Sequence, residues 1–82
     1  MEIIVNEVLK TIVEALVENP GDVVITEVSD DESVTLKLKV NKNDMGKVIG
    51  KQGRIARAIR TVVKAAASKD GRHAIVDIVE SE

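Results

Sequence analysis

The sequence predicts one α+β domain in which helices cover one face of a three-stranded sheet and leave the other face open. Three observations predict it. Two stretches, 2–18 and 54–69, repeat apolar residues at helical spacing. Ser33 to Val40 alternates apolar and polar residues with a period of two. Turn-forming residues divide the whole into a compact order, α-β-β-α-α-β, with no internal repeat and no linker. A chain of 82 residues is long enough for a single core, so residues 1–82 are read as one domain.

From Glu2 to Glu18, Val5, Val8, Leu9, Ile12 and Leu16 form one helical stripe. Ile4, Val13 and Val17 widen it, so this helix is expected to be buried on two sides or to meet a partner. Asn19-Pro20-Gly21 ends the helix, and Val23 to Val28 reads as a strand. Ser29-Asp30-Asp31-Glu32 is a polar turn, short enough to join two antiparallel strands. In the strand from Ser33 to Val40, Val34, Leu36, Leu38 and Val40 face inward while Thr35, Lys37 and Lys39 face out. Asn43 or Asp44 is expected to cap a short helix from Asp44 to Ile49. A turn follows from Gly50 to Gly53, then a helix from Arg54 to Lys69 that Gly71 stops. Ala74 to Glu80 is the last strand, with Val76 and Ile78 on one face.

The chemistry concentrates in Val48-Ile49-Gly50-Lys51-Gln52-Gly53-Arg54-Ile55. Two glycines let the backbone approach a ligand closely, and Lys51 adds a mobile positive charge between them. A helix beginning beside Gly53 aims unpaired N–H groups and the positive end of its dipole at the same place. These are the features of a phosphate site. A bare G-x-x-G arises by chance in many chains and can be a plain turn between helices, so the weight falls on the helix beyond Gly53.

In that helix, Ile55, Ala58, Ile59, Val62, Ala65 and Ala66 share one side, while Arg54, Arg57, Arg60 and Lys64 share nearly the opposite side. No acid occurs from Arg54 to Lys69. Like charges on one helix face repel, and a polyanionic partner relieves that repulsion. The whole chain has a net charge of −2, yet Asp44 to Arg72 holds eight basic and two acidic residues, a local +6 against −8 elsewhere. Such segregation suits a module that offers one face to a nucleic acid.

Composition narrows the alternatives. Phe, Tyr and Trp are absent, which excludes stacking of bases on aromatic rings. Cysteine is absent too, which excludes disulfides and thiolate metal sites. No apolar run approaches the roughly 20 residues of a membrane span. Glu2 and Glu7 stand where a secretory leader would be basic, so the expected location is the cytoplasm, without membrane attachment. Gly46 to Lys51 fails as a P-loop, because only three residues separate Gly46 from Gly50 and Gln52 replaces the required hydroxyl. His73 is the one histidine and has no cysteine near it, and three acids at Asp30, Asp31 and Glu32 read as a solvated turn. The chain is therefore expected to be no enzyme and to carry neither cofactor nor metal.

Asp44-Met45-Gly46-Lys47-Val48-Ile49-Gly50-Lys51-Gln52-Gly53-Arg54-Ile55-Ala56-Arg57-Ala58-Ile59-Arg60, continuing through Thr61 to Ala67, resembles the KH domain of the second topological type. More closely, the chain resembles the small single-domain bacterial KH proteins of the KhpA (YlqC) family. The resemblance implies a three-stranded mixed sheet covered on one face by three helices. It also implies that a G-x-x-G turn clamps the backbone of about four single-stranded nucleotides. By position, Gly50, Lys51, Gln52 and Gly53 are then the clamp, Ile49 and Ile55 line an aliphatic groove, Arg54 and Arg57 face phosphates or base edges, and Lys47 is an outer contact. The function so implied is binding of single-stranded RNA, with single-stranded DNA as a second ligand, in post-transcriptional regulation or RNA chaperoning. The implied partners are a second copy of the chain or a larger KH protein of the Jag (KhpB) type. The alternative is a KH-fold interaction module in which complex assembly comes first and RNA binding second.

Overall fold

The computed structural model describes residues 4–80, with Glu80 described by its backbone alone. The expected start of the first helix at Glu2 lies outside those residues. The elements are α1 (Val5–Leu16), β1 (Val24–Ser29), β2 (Ser33–Val40), α2 (Met45–Ile49), α3 (Arg54–Lys69) and β3 (His73–Glu80), joined by single 3-10 turns at Pro20–Asp22, Lys42–Asp44 and Lys51–Gly53.

The three strands form one mixed sheet in the order β1-β2-β3. β1 and β2 are antiparallel, from Val24 opposite Lys39 to Ser29 opposite Val34. β2 and β3 are parallel, from Ser33 opposite His73 to Val40 opposite Glu80, and the α2-turn-α3 segment makes the crossover that a parallel pair requires. Asp30 fixes the hairpin. Its Oδ1 accepts from the N–H groups of Glu32 and Ser33 at 2.8 and 2.7 Å, and these bonds hold the Asp30 carboxyl below its usual range. Of the three acids of this turn, Asp30 serves the hairpin through its side chain, and no cluster of three or more potential metal ligands occurs among the described residues.

β2 is the centre of the sheet, and Val34, Leu36, Leu38 and Val40 are fully buried against the helices. Leu9 and Val13 of α1, Val48 of α2, Ile59, Val63 and Ala67 of α3, and Ala74 and Val76 of β3 complete an aliphatic core. The other face of the sheet is open, and Val24 and Val28 of β1 and Ile75 of β3 are exposed on it. α3 ends as expected at Gly71 (φ 73°), where the Arg72 N–H returns to the Ala67 carbonyl and the Gly71 N–H to that of Ser68.

Three expectations need correction. In α1 the buried line is Val5, Leu9 and Val13, while Ile12 and Val17 are partly buried and Leu16 is exposed. In α3 the core takes Ala56, Ile59, Val63 and Ala67, leaving Ala58, Val62 and Ala65 exposed. Both helices carry an apolar arc wider than one packing face, and the sheet selects one half of each. Finally, Asp44 holds the N-cap position of α2, but its side chain caps nothing in that helix. It is buried and accepts from the N–H groups of Glu18 and Asn19 at 3.2 and 3.1 Å and from Asn19 Nδ2 at 3.1 Å. Burial pushes its carboxyl up, and these bonds together with the Lys47 charge outweigh burial and hold it below its usual range. Asn41 caps the 3-10 turn Lys42–Asp44 that precedes α2, accepting from the Asn43 N–H at 2.8 Å.

Candidate nucleic-acid interface

The turn between α2 and α3 is built from backbone conformations that ordinary side chains avoid. Gly50 has φ 74° and ψ 178°, Gln52 lies at φ 57° and Gly53 at φ 73°, so three of four residues have positive φ. The Gly50 N–H closes α2 on the Gly46 carbonyl, and the Gly53 N–H closes the turn on the Gly50 carbonyl. Lys51 and Gln52 are exposed at the tip. α3 starts directly behind them with no acid in its first turn and no side chain capping its N–H groups. The positive end of its dipole therefore meets solvent where Lys51 and Arg54 add full charges.

From this turn a groove runs along one side of α3, lined by Gln52, Gly53, Arg57, Arg60, Thr61 and Lys64. Its floor is ordered by two backbone contacts. Arg60 Nε donates to the Val76 carbonyl of β3 at 3.2 Å, and Thr61 Oγ1 donates to the Arg57 carbonyl at 2.9 Å. The first ties a guanidinium to the free edge of the sheet and blocks part of that edge.

A second groove runs along the other side of α3, where Ile12 and Leu16 of α1 face Ile55, Ala58, Ile59 and Val62. It is almost wholly apolar, and Val62 is 46% exposed in it. Arg54 stands at its mouth and also reaches the turn, its guanidinium 3.4 Å from Gln52 Oε1.

The structure thus brings together Gly50, Lys51, Gln52, Gly53, Arg54 and Arg57. It sets Ile55 on the apolar side of α3, packed against Gly50, and leaves Ile49 half-buried against the core. Lys47 is held away from the turn, with Nζ 2.7 Å from Glu18 Oε1 and 3.8 Å from Asp44 Oδ1. Arg60 and Lys64, which the sequence places on the same basic face, join the groove beside Arg57, beyond the contacts implied by the resemblance, which stop at Arg57. The signal for them was the spacing 57, 60, 64, which keeps three cations on one helix face.

A G-x-x-G turn joining two helices packed on a mixed sheet, in the order α-β-β-α-α-β, defines a KH domain of the second topological type. The profile described as "KhpA/KhpB, KH domain" matches residues 6–78, and the chain belongs to that family, which is one of KH domains and not of enzymes. Among its relatives, the "RNA-binding protein KhpA" of Clostridium perfringens is 56% identical over 73 residues, covering 89% of this chain and 97% of the relative. The protein of the same name from Listeria monocytogenes is 54% identical over 74 residues, covering 90% and 97%. That from Aquifex aeolicus is 45% identical over 76 residues, covering 88% and 96%. No solved structure matches the chain significantly. No described helix is long and apolar enough to cross a membrane.

Proposed function

We propose that this chain is a non-catalytic binder of single-stranded RNA, whose Gly50–Gly53 turn clamps the strand's backbone. One observation carries the reading. The turn presents Lys51 and the uncapped start of α3 at the head of a groove lined by Arg57, Arg60 and Lys64, and no carboxylate lines that groove. Phosphates account for the clustered charge, and the names of the relatives agree with this ligand. The groove has no aromatic platform, so the grip rests on phosphate, polar side-chain and backbone contacts, and nothing in it selects RNA over single-stranded DNA. A cytoplasmic role in post-transcriptional regulation or RNA chaperoning follows from this reading. In competition against a labelled single strand, unlabelled single-stranded RNA should displace it far better than duplex RNA of equal length. Equal displacement by the duplex would remove the basis of the clamp.

A second reading rests on the apolar groove between α1 and α3. Ile12, Leu16, Ala58 and Val62 offer a continuous aliphatic surface that suits a second KH chain, either another copy or a larger Jag/KhpB-type protein. Under this reading Val62→Glu abolishes self-association in sedimentation and leaves RNA affinity intact.

A further inference from the structure

We propose a second phosphate subsite at the far end of α3, which carries a bound strand beyond the G-x-x-G turn. It rests on the reading of the chain as an RNA binder. A hollow at that end is lined by Lys64, Ser68, Gly71, Arg72, His73 and Ala74. Lys64 also lines the groove that starts at Gln52 and Gly53, so the groove and the hollow adjoin at one side chain.

The geometry follows from the end of the helix. Lys64 and Ser68 are one turn apart on the same face of α3. Gly71 reverses the chain, and the Arg72 N–H bond to the Ala67 carbonyl folds Arg72 and His73 back beside them. A helix C-terminus ordinarily repels anions through its free carbonyls. Here the Ala67 and Ser68 carbonyls accept from the N–H groups of Asp70, Gly71 and Arg72, which blunts that repulsion. The Arg72 guanidinium has a carboxylate neighbour in Asp70, at 3.8 Å, the outer limit of an ion pair. Its five donors are satisfied by no closer side chain among the described residues. Two cations, a hydroxyl and an imidazole thus surround one hollow, the donor set that a phosphodiester needs.

Length sets the footprint. The 16 residues of α3 span about 24 Å at 1.5 Å per residue. At about 3.4 Å per nucleotide, the rise along one strand of a stacked duplex, that corresponds to at most about seven nucleotides, since an unstacked strand advances farther per nucleotide. A strand of about four nucleotides fills the turn alone, whereas one of about eight reaches Arg72.

The test compares fluorescently labelled random-sequence RNAs of about four and about eight nucleotides on the intact chain. The longer RNA should bind roughly tenfold more tightly than the shorter, beyond the gain from extra binding registers. Arg72→Gln with His73→Gln should abolish that gain, leave the shorter RNA's affinity unchanged and flatten the longer RNA's log–log salt slope by about 0.7. Ser68→Asp, on an exposed helix position, should do the same and guards against a folding defect at the turn. A parent that binds both lengths equally, or variants that keep the length gain, would overturn the subsite while leaving the clamp standing. A parent that binds neither RNA overturns the RNA reading and the subsite together.

Discussion

Ile55 lies so close over Gly50 that a Cβ added to the glycine would sit 2.6 Å from Ile55 Cγ1. Gly50 also has φ 74° with ψ 178°, a region open to glycine alone. Gly53 differs on both counts, since a Cβ there meets nothing within 4 Å and its φ 73° and ψ 17° are left-handed helical. Gly50→Ala should therefore lower the melting temperature by on the order of 10 °C, through strain of about 1–3 kcal/mol plus the clash. Gly53→Asn, which the left-handed region tolerates, should cost under about 1 kcal/mol. Calorimetry showing equal losses for the two would contradict this division of roles.

The clamp itself is tested by Lys51→Asp combined with Gln52→Asp. Both positions are exposed, and Asp accepts the positive φ of position 52. Two carboxylates at the phosphate position should weaken RNA binding at least tenfold, about 1.4 kcal/mol. The melting temperature should hardly change. A folded variant that binds RNA like the parent would favour the interaction-module reading.

Salt dependence separates the cations. With three or four phosphates engaged, the log–log slope of RNA affinity against salt should be about −2 to −3. Arg57→Gln should reduce its magnitude by about 0.7, because Arg57 lines the groove. Lys47→Gln should leave the slope nearly unchanged, since Glu18 and Asp44 already balance that charge. A slope that responds to Lys47 as strongly as to Arg57 would return Lys47 to the binding surface.

Asp44 sets a pH dependence of stability. Its carboxyl titrates below the ordinary value of 3.8 in the folded chain, so folding favours the charged form. That stabilisation is complete above the unfolded value and is lost as pH falls through the folded one. Melting temperatures should therefore drop as pH is lowered below about 4. Asp44→Asn should melt on the order of 5–10 °C lower than the parent at pH 7 and show a shallower acid decline. An unchanged acid profile in the variant would assign the decline to other carboxylates.

Strand β2 and helix α3 were legible from the sequence because each has one dominant period, and their ends agree with Ser33–Val40 and Arg54–Lys69. The basic side of α3 was legible too, but the division of its apolar arc into a core half and an exposed half was not, because Ile55, Ala58, Ile59 and Val62 belong to an arc that two neighbours share. Only the placement of α1 and the sheet decides which half is buried. Asp44 illustrates a different limit. Its partners are 25 and 26 residues away, beyond any local pattern, so a capping residue and a buried anchor look identical in sequence. A comparably long separation hid the pairing of Lys47 with Glu18.

The parallel pairing of β2 with β3 imposes an order of assembly. Residues 41–72, which include the whole turn and all of α3, form the connection that must fold back before β3 can pair with β2. Closing so long a loop is slow compared with forming the β1–β2 hairpin. During synthesis the Gly50–Gly53 segment is made well before the strand that anchors α3 behind it. Until β3 docks, Arg60 has no Val76 carbonyl to hold its guanidinium in place. A nascent chain thus carries the basic residues of the groove before Arg60 is anchored among them, and that anchoring arrives only with the last strand of the sheet.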